Sequence, residues 1–246
     1  MRRFLKLYWT EQKLGFRCCD SIIFGIAMPV GVLLLIAILA GDKVAGNADY
    51  TYLESAFASL IAVGICACAF MGLPLTIADY RDKKILKHFF VTPCSPIWFL
   101  GAIVLCNIVT AILSAVAVTG VAMLGLKYEI KGNSIIFIGT WLLTLVSMFS
   151  IGMMLASLCR TVKTANAVTS LVYFPMLFLS GATIPYELFP TALQKVASIL
   201  PLTQGIKLMK EASMGVSMDL NIGIIAWLLG ITVICSIISI KTFKWE

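Results

Sequence analysis

Six runs of about 20 apolar residues, each long enough to cross a bilayer core as a helix, confine this chain to a helical membrane fold. Lipid offers no partner to an open backbone, so segments of that length cross as helices whose hydrogen bonds close within themselves. The runs fall at Ser21–Ala40, Ala56–Ala78, Ile97–Leu124, Ile135–Leu158, Ala165–Ile184 and Ile222–Ile240. Composition agrees: of 246 residues 60% are hydrophobic and 13% charged, against about a quarter charged in soluble domains. No polar stretch between the runs is long enough to bury a core of its own, so residues 1–246 read as one all-α membrane domain.

Positive charge sets the expected topology, because Lys and Arg flanking spans are retained on the cytoplasmic side. With the N-terminus inside, 13 of the 19 cations lie on the inner side and only Lys43, Lys127, Lys131, Lys195, Lys207 and Lys210 outside. Both termini are therefore expected in the cytoplasm. This bias explains the net charge of +7 without any nucleic-acid partner. Residues 1–20 are read as an interfacial helix rather than a cleavable signal peptide, since the run behind them has full span length. Arg3, Lys6, Thr10, Lys13 and Arg17 repeat along one stripe, with Leu5, Tyr8, Trp9 and Phe16 largely opposite. Such a helix would rest among membrane lipid headgroups; the alternative is a frayed basic tail.

Chemistry in the usual sense is not encoded. The eight cysteines, Cys18, Cys19, Cys66, Cys68, Cys94, Cys106, Cys159 and Cys235, sit in spans or at their inner ends, where reduced thiols pack as small apolar groups. His88 is the single histidine, so no metal site is expected. The sequence has no Gly-Lys pair and hence no phosphate-binding loop of the Walker kind, and its span centres carry almost no ionisable groups for a proton relay. No catalytic residue is expected.

What remains is the charge-dense stretch 79–96 after the second span. From Arg81 to Thr92 nothing breaks a helix, and Thr92-Pro93 ends one. A short surface helix there would take a push from a soluble partner; a plain positive-inside loop reads equally well from residue types. Between the last two runs, Phe189, Leu193, Val196, Ala197 and Leu200 share a helical face, and Pro190 suits a first turn. Pro201-Leu-Thr203 breaks that helix, and a second amphipathic stretch runs to about Met214. Such a hairpin would dip into the membrane and cap an exit path, or rest on the outer leaflet. Pro74 and Pro175 permit kinks.

The run Ile77-Ala-Asp-Tyr-Arg-Asp-Lys-Lys-Ile-Leu-Lys-His-Phe-Phe-Val-Thr-Pro-Cys-Ser-Pro-Ile-Trp-Phe-Leu-Gly101 resembles the inner loop of ABC-2 type transporter permeases, bacterial exporter subunits. Leu179-Ser-Gly-Ala-Thr-Ile-Pro-Tyr-Glu-Leu-Phe-Pro190 and Ile199-Leu-Pro-Leu-Thr203 are similar to that family's segment before the last span. The resemblance implies a multi-pass half-transporter of the bacterial cytoplasmic membrane that pairs with a second permease subunit, as homodimer or heterodimer. Each subunit would dock a separate cytoplasmic ATPase, which alone would use ATP and Mg. It makes Arg81 to His88 a coupling helix and Asp79, Arg81, Asp82, Lys84, Lys87 and His88 candidate ATPase contacts, although Tyr80-Arg81-Asp82 stands where the family often has Glu-Arg-Glu. It places short re-entrant helices between the last two spans, and spans two and five at the subunit interface, with Phe70, Phe174, Met176 and Phe178 as substrate-path candidates. The implied function is export of an amphipathic small molecule, a drug, lipid-like antibiotic or peptide, and hence drug or antibiotic resistance. The small outer loops suit such a cargo. A membrane scaffold or sensor recruiting a cytoplasmic ATPase or other partner is the second reading.

Overall fold

The computed structural model describes residues 2–17, 23–40, 51–85, 96–126, 128–181, 189–215 and 222–243. The described residues are helical apart from short connections. In chain order they form α1 (Arg2–Arg17), α2 (a π-helical turn Ile23–Ala27 continued by Met28–Ala40), α3 (Tyr52–Asp82) and α4 (Pro96–Gly120, closed by a π turn Val121–Gly125). Then follow α5 (Ser134–Leu158), α6 (Val162–Leu179), α7 (Thr191–Ala197), α8 (Pro201–Met214) and α9 (Ile222–Thr242).

Five of these, α3, α4, α5, α6 and α9, are long and apolar enough to cross a membrane. Of the first expected span, Ser21–Ala40, the described residues form a shorter apolar helix, Ile23–Leu39. The fifth expected span, 165–184, is also displaced: α6 begins at Val162 and stops at Leu179. Gly181 at φ 81° is the physical reason, because that left-handed conformation ends a helix and suits glycine. Thr161 starts α6 with a capping box shared with Thr164.

α3 is the axis of the subunit. In its most apolar stretch 83% of the residues are buried, against 28% in α6 and 17% in α9. It packs against α2, α4, α5, α6 and α8, and α5 in turn carries α9 on its far side. Pro74 lies just beyond a π turn, Cys68–Gly72, in which the Leu73 amide reaches back to the Cys68 carbonyl. Because proline has no N–H to give its own turn, the wider turn and the Thr76 hydroxyl, which donates to Gly72 O at 2.8 Å, absorb the irregularity. Gly152 of α5 sits directly on the Ala69 carbonyl of that turn, so a side chain there would strike backbone. Pro175 lies inside α6.

α1 lies along α4, with Phe4 edge-on to Trp98 at 5.5 Å. Its orientation differs from the simple basic-against-apolar split. Leu5, Trp9 and Leu14 are exposed, as are Lys6 and Lys13, and the side turned into the protein carries Glu11 and Gln12. Glu11 and Gln12 share that inner side with Leu7 and Phe4, which pack against the core and against Trp98.

Between α6 and α9 the chain forms the expected helix pair. Pro190 caps α7 rather than lying in its first turn. Leu193 and Val196 of α7 stay exposed and Ala197 alone of its expected apolar face is fully buried. α8 is embedded: Leu202, Ile206, Met209 and Ala212 join the core shared by α3 and α5.

Candidate functional site

Three consecutive residues at the end of α3 reach three different elements. Tyr80 donates its hydroxyl to Glu11 Oε2 of α1 at 2.8 Å and lies against Phe99 of α4, ring centroids 5.1 Å apart. Arg81 is turned inward, 8% exposed, and its Nη1 donates to Ala156 O at 3.3 Å and Cys159 O at 2.5 Å. These are carbonyls that the last turn of α5 leaves unpaired, and a cation at a helix C-terminus also meets the negative end of its dipole. The guanidinium stacks 5.2 Å from the Phe243 ring just after α9. Asp82 points the other way and accepts from the Val162 amide, the first residue of α6, at 2.9 Å. An anion at an N-terminus is the matching favourable placement.

The α5–α6 connection is thus held on both sides by α3, Arg81 at the helix end and Asp82 at the helix start. Cys159, buried beside Arg81, has its thiol pKa raised by that burial and partly lowered again by the guanidinium. Glu11 is 9% exposed and burial pushes its carboxyl above the ordinary 4.5, with the Tyr80 bond opposing.

The expected continuous helix from Arg81 to Thr92 does not form at its start. α3 ends at Asp82, Lys83 and Lys84 make a turn, and Lys84 takes φ 55°. The Lys83 amide closes on Asp79 O and the Lys84 amide on Arg81 O, both at 3.0 Å, the pattern of a helix ended by a left-handed residue. Lys83 also bridges Asp79 at 2.7 Å across one exposed turn. Among the expected partner contacts, then, Lys84 is exposed in this turn, Asp79 is half-buried in the last turns of α3, Asp82 is exposed while capping α6, and Arg81 is inside. Lys87 and His88 lie outside the described residues.

A second latch closes the opposite end of the bundle. Thr51 and Glu54 form the capping box that begins α3, and Glu54 also bridges Lys131 at 2.6 Å. Lys210 of α8 donates to Ser55 Oγ at 2.6 Å, and the Gly132 amide donates to Ser213 O at 3.0 Å. Phe57 packs against Tyr128, tilted with ring centroids 4.7 Å apart, and stacks with Phe137 at 5.7 Å. α8 is therefore tied to α3 and to the 128–133 segment at one end of the bundle.

The four path candidates divide into two pairs. Phe70, in the π turn of α3, is fully buried and Met176 is 4% exposed; both belong to the main core. Phe174 and Phe178 stand on the outer side of α6 with Leu171, exposed by 45%, 57% and 75%. Among the described residues no three His, Cys, Asp or Glu side chains gather to hold a metal ion.

Apolar helices around a buried axis, with the ion pairs of the described residues at the two ends of α3, suit a membrane permease, and residues 2–213 match the ABC-2 type transporter family. The chain belongs to that family. This ABC-2 permease is 28% identical over 197 residues to Nodulation protein J of Neorhizobium galegae, covering 78% of the chain and 70% of that protein. It is 27% identical over 135 residues to the inner membrane transport permease YhhJ of Escherichia coli K12, covering 52% of the chain and 34% of YhhJ. To the probable multidrug ABC transporter permease YbhR of the same organism it is 25% identical over 169 residues, with 67% and 44% covered. The chain is an integral membrane protein of a transport family.

The partners of the permease's α3 end escaped the sequence reading. Glu11, the Ala156 and Cys159 carbonyls, Val162 and Phe243 are separated from residues 80–82 by long stretches of chain, and no local spacing marks them.

Proposed function

We propose that this permease is one half of an ATP-binding cassette exporter that moves an amphipathic small molecule, lipid-like antibiotic or peptide across the bacterial cytoplasmic membrane. A separate ATPase energises it and a second permease subunit completes the pathway. The observation that carries the reading is the fan of contacts from Tyr80, Arg81 and Asp82 to α1, α5 and α6, at the mouth of the basic connection between α3 and α4. A partner pressing on that connection would move the ends of three helices at once. Asp79, Lys83 and Lys84 would meet the ATPase, with Lys87 and His88 further along the connection. Arg81 and Asp82 would transmit the displacement.

In this arrangement both termini face the cytoplasm, as the Lys and Arg distribution requires, and α2 supplies a sixth crossing. Its residues 23–40 rise about 27 Å at 1.5 Å each, against a hydrocarbon layer of about 30 Å. α7 and α8 form the re-entrant outer hairpin. The exposed Phe174 and Phe178 would face the substrate and the second subunit, with Met176 and Phe70 as packing behind them. A multidrug permease among the relatives is in keeping with an amphipathic cargo.

The test is reconstitution in proteoliposomes with a candidate partner ATPase carrying a Walker phosphate loop, reading ATP hydrolysis and export of fluorescent amphiphiles. Replacing the exposed Lys83 and Lys84 by Glu together should cut transport-coupled hydrolysis at least about fivefold, the effect of about 1 kcal/mol. Unchanged docking and hydrolysis in that variant would remove the coupling role. Docking without any transport would favour the scaffold or sensor reading.

A further inference from the structure

Beneath α1, where it crosses α3 and α4, lies a cavity of about 70 Å³. That is room for about two water-sized groups. Glu11 and Gln12 of α1, Tyr80 of α3 and Asn107 and Thr110 of α4 line it. Glu11, Gln12 and Asn107 are each more than nine-tenths buried.

Most of the donors here are already used. Tyr80 gives its proton to Glu11, Thr110 gives its own to Cys106 O at 3.0 Å, and Asn107 Nδ2 donates to Ile103 O at 3.0 Å. What is left over is acceptor capacity. The Glu11 carboxylate has no Lys or Arg partner among the described residues, and Gln12 Oε1 is buried with no hydrogen-bond partner. A buried carboxylate and an unmet amide oxygen both cost stability until a donor arrives.

We infer that this cavity is a binding site for a primary ammonium group, inserted beneath α1 with its N–H donors on Glu11 and Gln12. Cation, compact size and several N–H donors are what the lining lacks. A quaternary ammonium supplies the charge without the donors and is too bulky for the space. The ammonium comes either from an ethanolamine lipid headgroup, which an amphipathic helix at headgroup depth would meet directly, or from a soluble amine. The site shares the Tyr80–Glu11 contact with the fan proposed for coupling, but no ATPase enters its test, so the two readings fail separately.

The full-length chain, stripped of lipid in detergent, is titrated with dioleoyl phosphatidylethanolamine and with the matching phosphatidylcholine, and binding is read by native mass spectrometry. The ethanolamine lipid should bind about tenfold or more tightly than the choline lipid, the usual worth of charge-assisted hydrogen bonds. Glu11→Gln should bring the ratio near one. Gln12→Met, which keeps shape and charge, should lower it severalfold in protein that still elutes as folded. Equal binding of the two lipids by the native chain, or an unchanged ratio in Gln12→Met and Glu11→Gln, overturns the site. Soluble ethanolamine and choline form the second arm, read as a shift in thermal midpoint. A rise with ethanolamine alone shows that the ammonium group suffices. Preference confined to the lipid pair assigns the headgroup as the source.

Discussion

Replacing Arg81 separates what its charge does from what its stem does. The bond to Cys159 O is short and charge-assisted, worth about 2 kcal/mol, and the longer one to Ala156 O about 1 kcal/mol. Stacking on Phe243 adds about 0.5–1 kcal/mol. Against this gross gain of about 4 kcal/mol stands the burial of Nε and Nη2 without partners, at about 1 kcal/mol or more each. Arg81→Met keeps the stem and relieves that cost, so it should destabilise by about 1–2 kcal/mol. Arg81→Ala also removes about three buried methylenes at about 0.8 kcal/mol each, for about 3–4 kcal/mol in all. For a chain of this size 1 kcal/mol moves the midpoint by about 2–4 °C. Thermal unfolding in one detergent should therefore show drops of about 5 °C for Met and about 10 °C for Ala. A methionine variant as unstable as the alanine one would refute the offsetting burial cost. One with an unshifted midpoint would show that the carbonyl bonds add nothing net.

Asp82→Ala removes the anion from the start of α6 and should cost about 1 kcal/mol; hydrogen exchange at the Val162 to Thr164 amides should quicken about fivefold, while exchange in the middle of α5 stays unchanged. On α5 itself two glycines give opposite results. Gly152→Ala meets the Ala69 backbone and should destabilise by about 1–3 kcal/mol or more, whereas Gly139→Ala meets nothing and should stabilise by up to about 1 kcal/mol, both read from thermal midpoints. The Glu11 carboxyl binds its proton more tightly folded than unfolded, because burial outweighs the Tyr80 bond. Between the ordinary 4.5 and the raised native value the folded chain therefore holds more protons, and stability falls as pH rises through that window. In amine-free detergent the midpoint should decline across that range in the native chain, and Glu11→Gln should lack the decline.

Local hydrophobicity carries the parts of the fold that were legible. α4, α5 and α9 begin and end within a few residues of the apolar runs, because a helix in lipid satisfies its backbone without reference to the rest of the chain. The end of α6 was equally readable from Ser180-Gly181, a helix-stopping pair, yet hydropathy alone carries the run on to Ile184. The face of α1 was not legible. Its residue pattern shows two sides, but which side meets protein is set by packing across the chain, which leaves Leu5, Trp9 and Leu14 exposed and buries Glu11 and Gln12. The charge cluster at 79–84 stood out by composition, and its division into an inward Arg81, a capping Asp82 and a left-handed Lys84 came only from packing. Phe70 and Met176 were path candidates because the family resemblance puts spans two and five at the subunit interface; within the subunit both are packed into the main core, a placement their sequence positions did not give away.

The order Arg-then-Asp at the end of α3 has a physical reason. Successive helical residues point about 100° apart, so residue 81 faces α5 and residue 82 faces α6. The dipole of α5 ends where Arg81 sits, and that of α6 begins where Asp82 sits. Exchanging the two residues would place an anion on open carbonyls and a cation on open amides, repulsive at both helix ends and without a donor or acceptor in the right place. The double variant should therefore fare worse than the sum of Arg81→Met and Asp82→Ala, since each single change merely removes a favourable contact. In the proposed exporter the same geometry makes the three-residue turn between α5 and α6 move with α3. A displacement of the basic connection pulls one helix by its carbonyls and the other by its amide, and the buried axis of the subunit gives it nothing softer to deform.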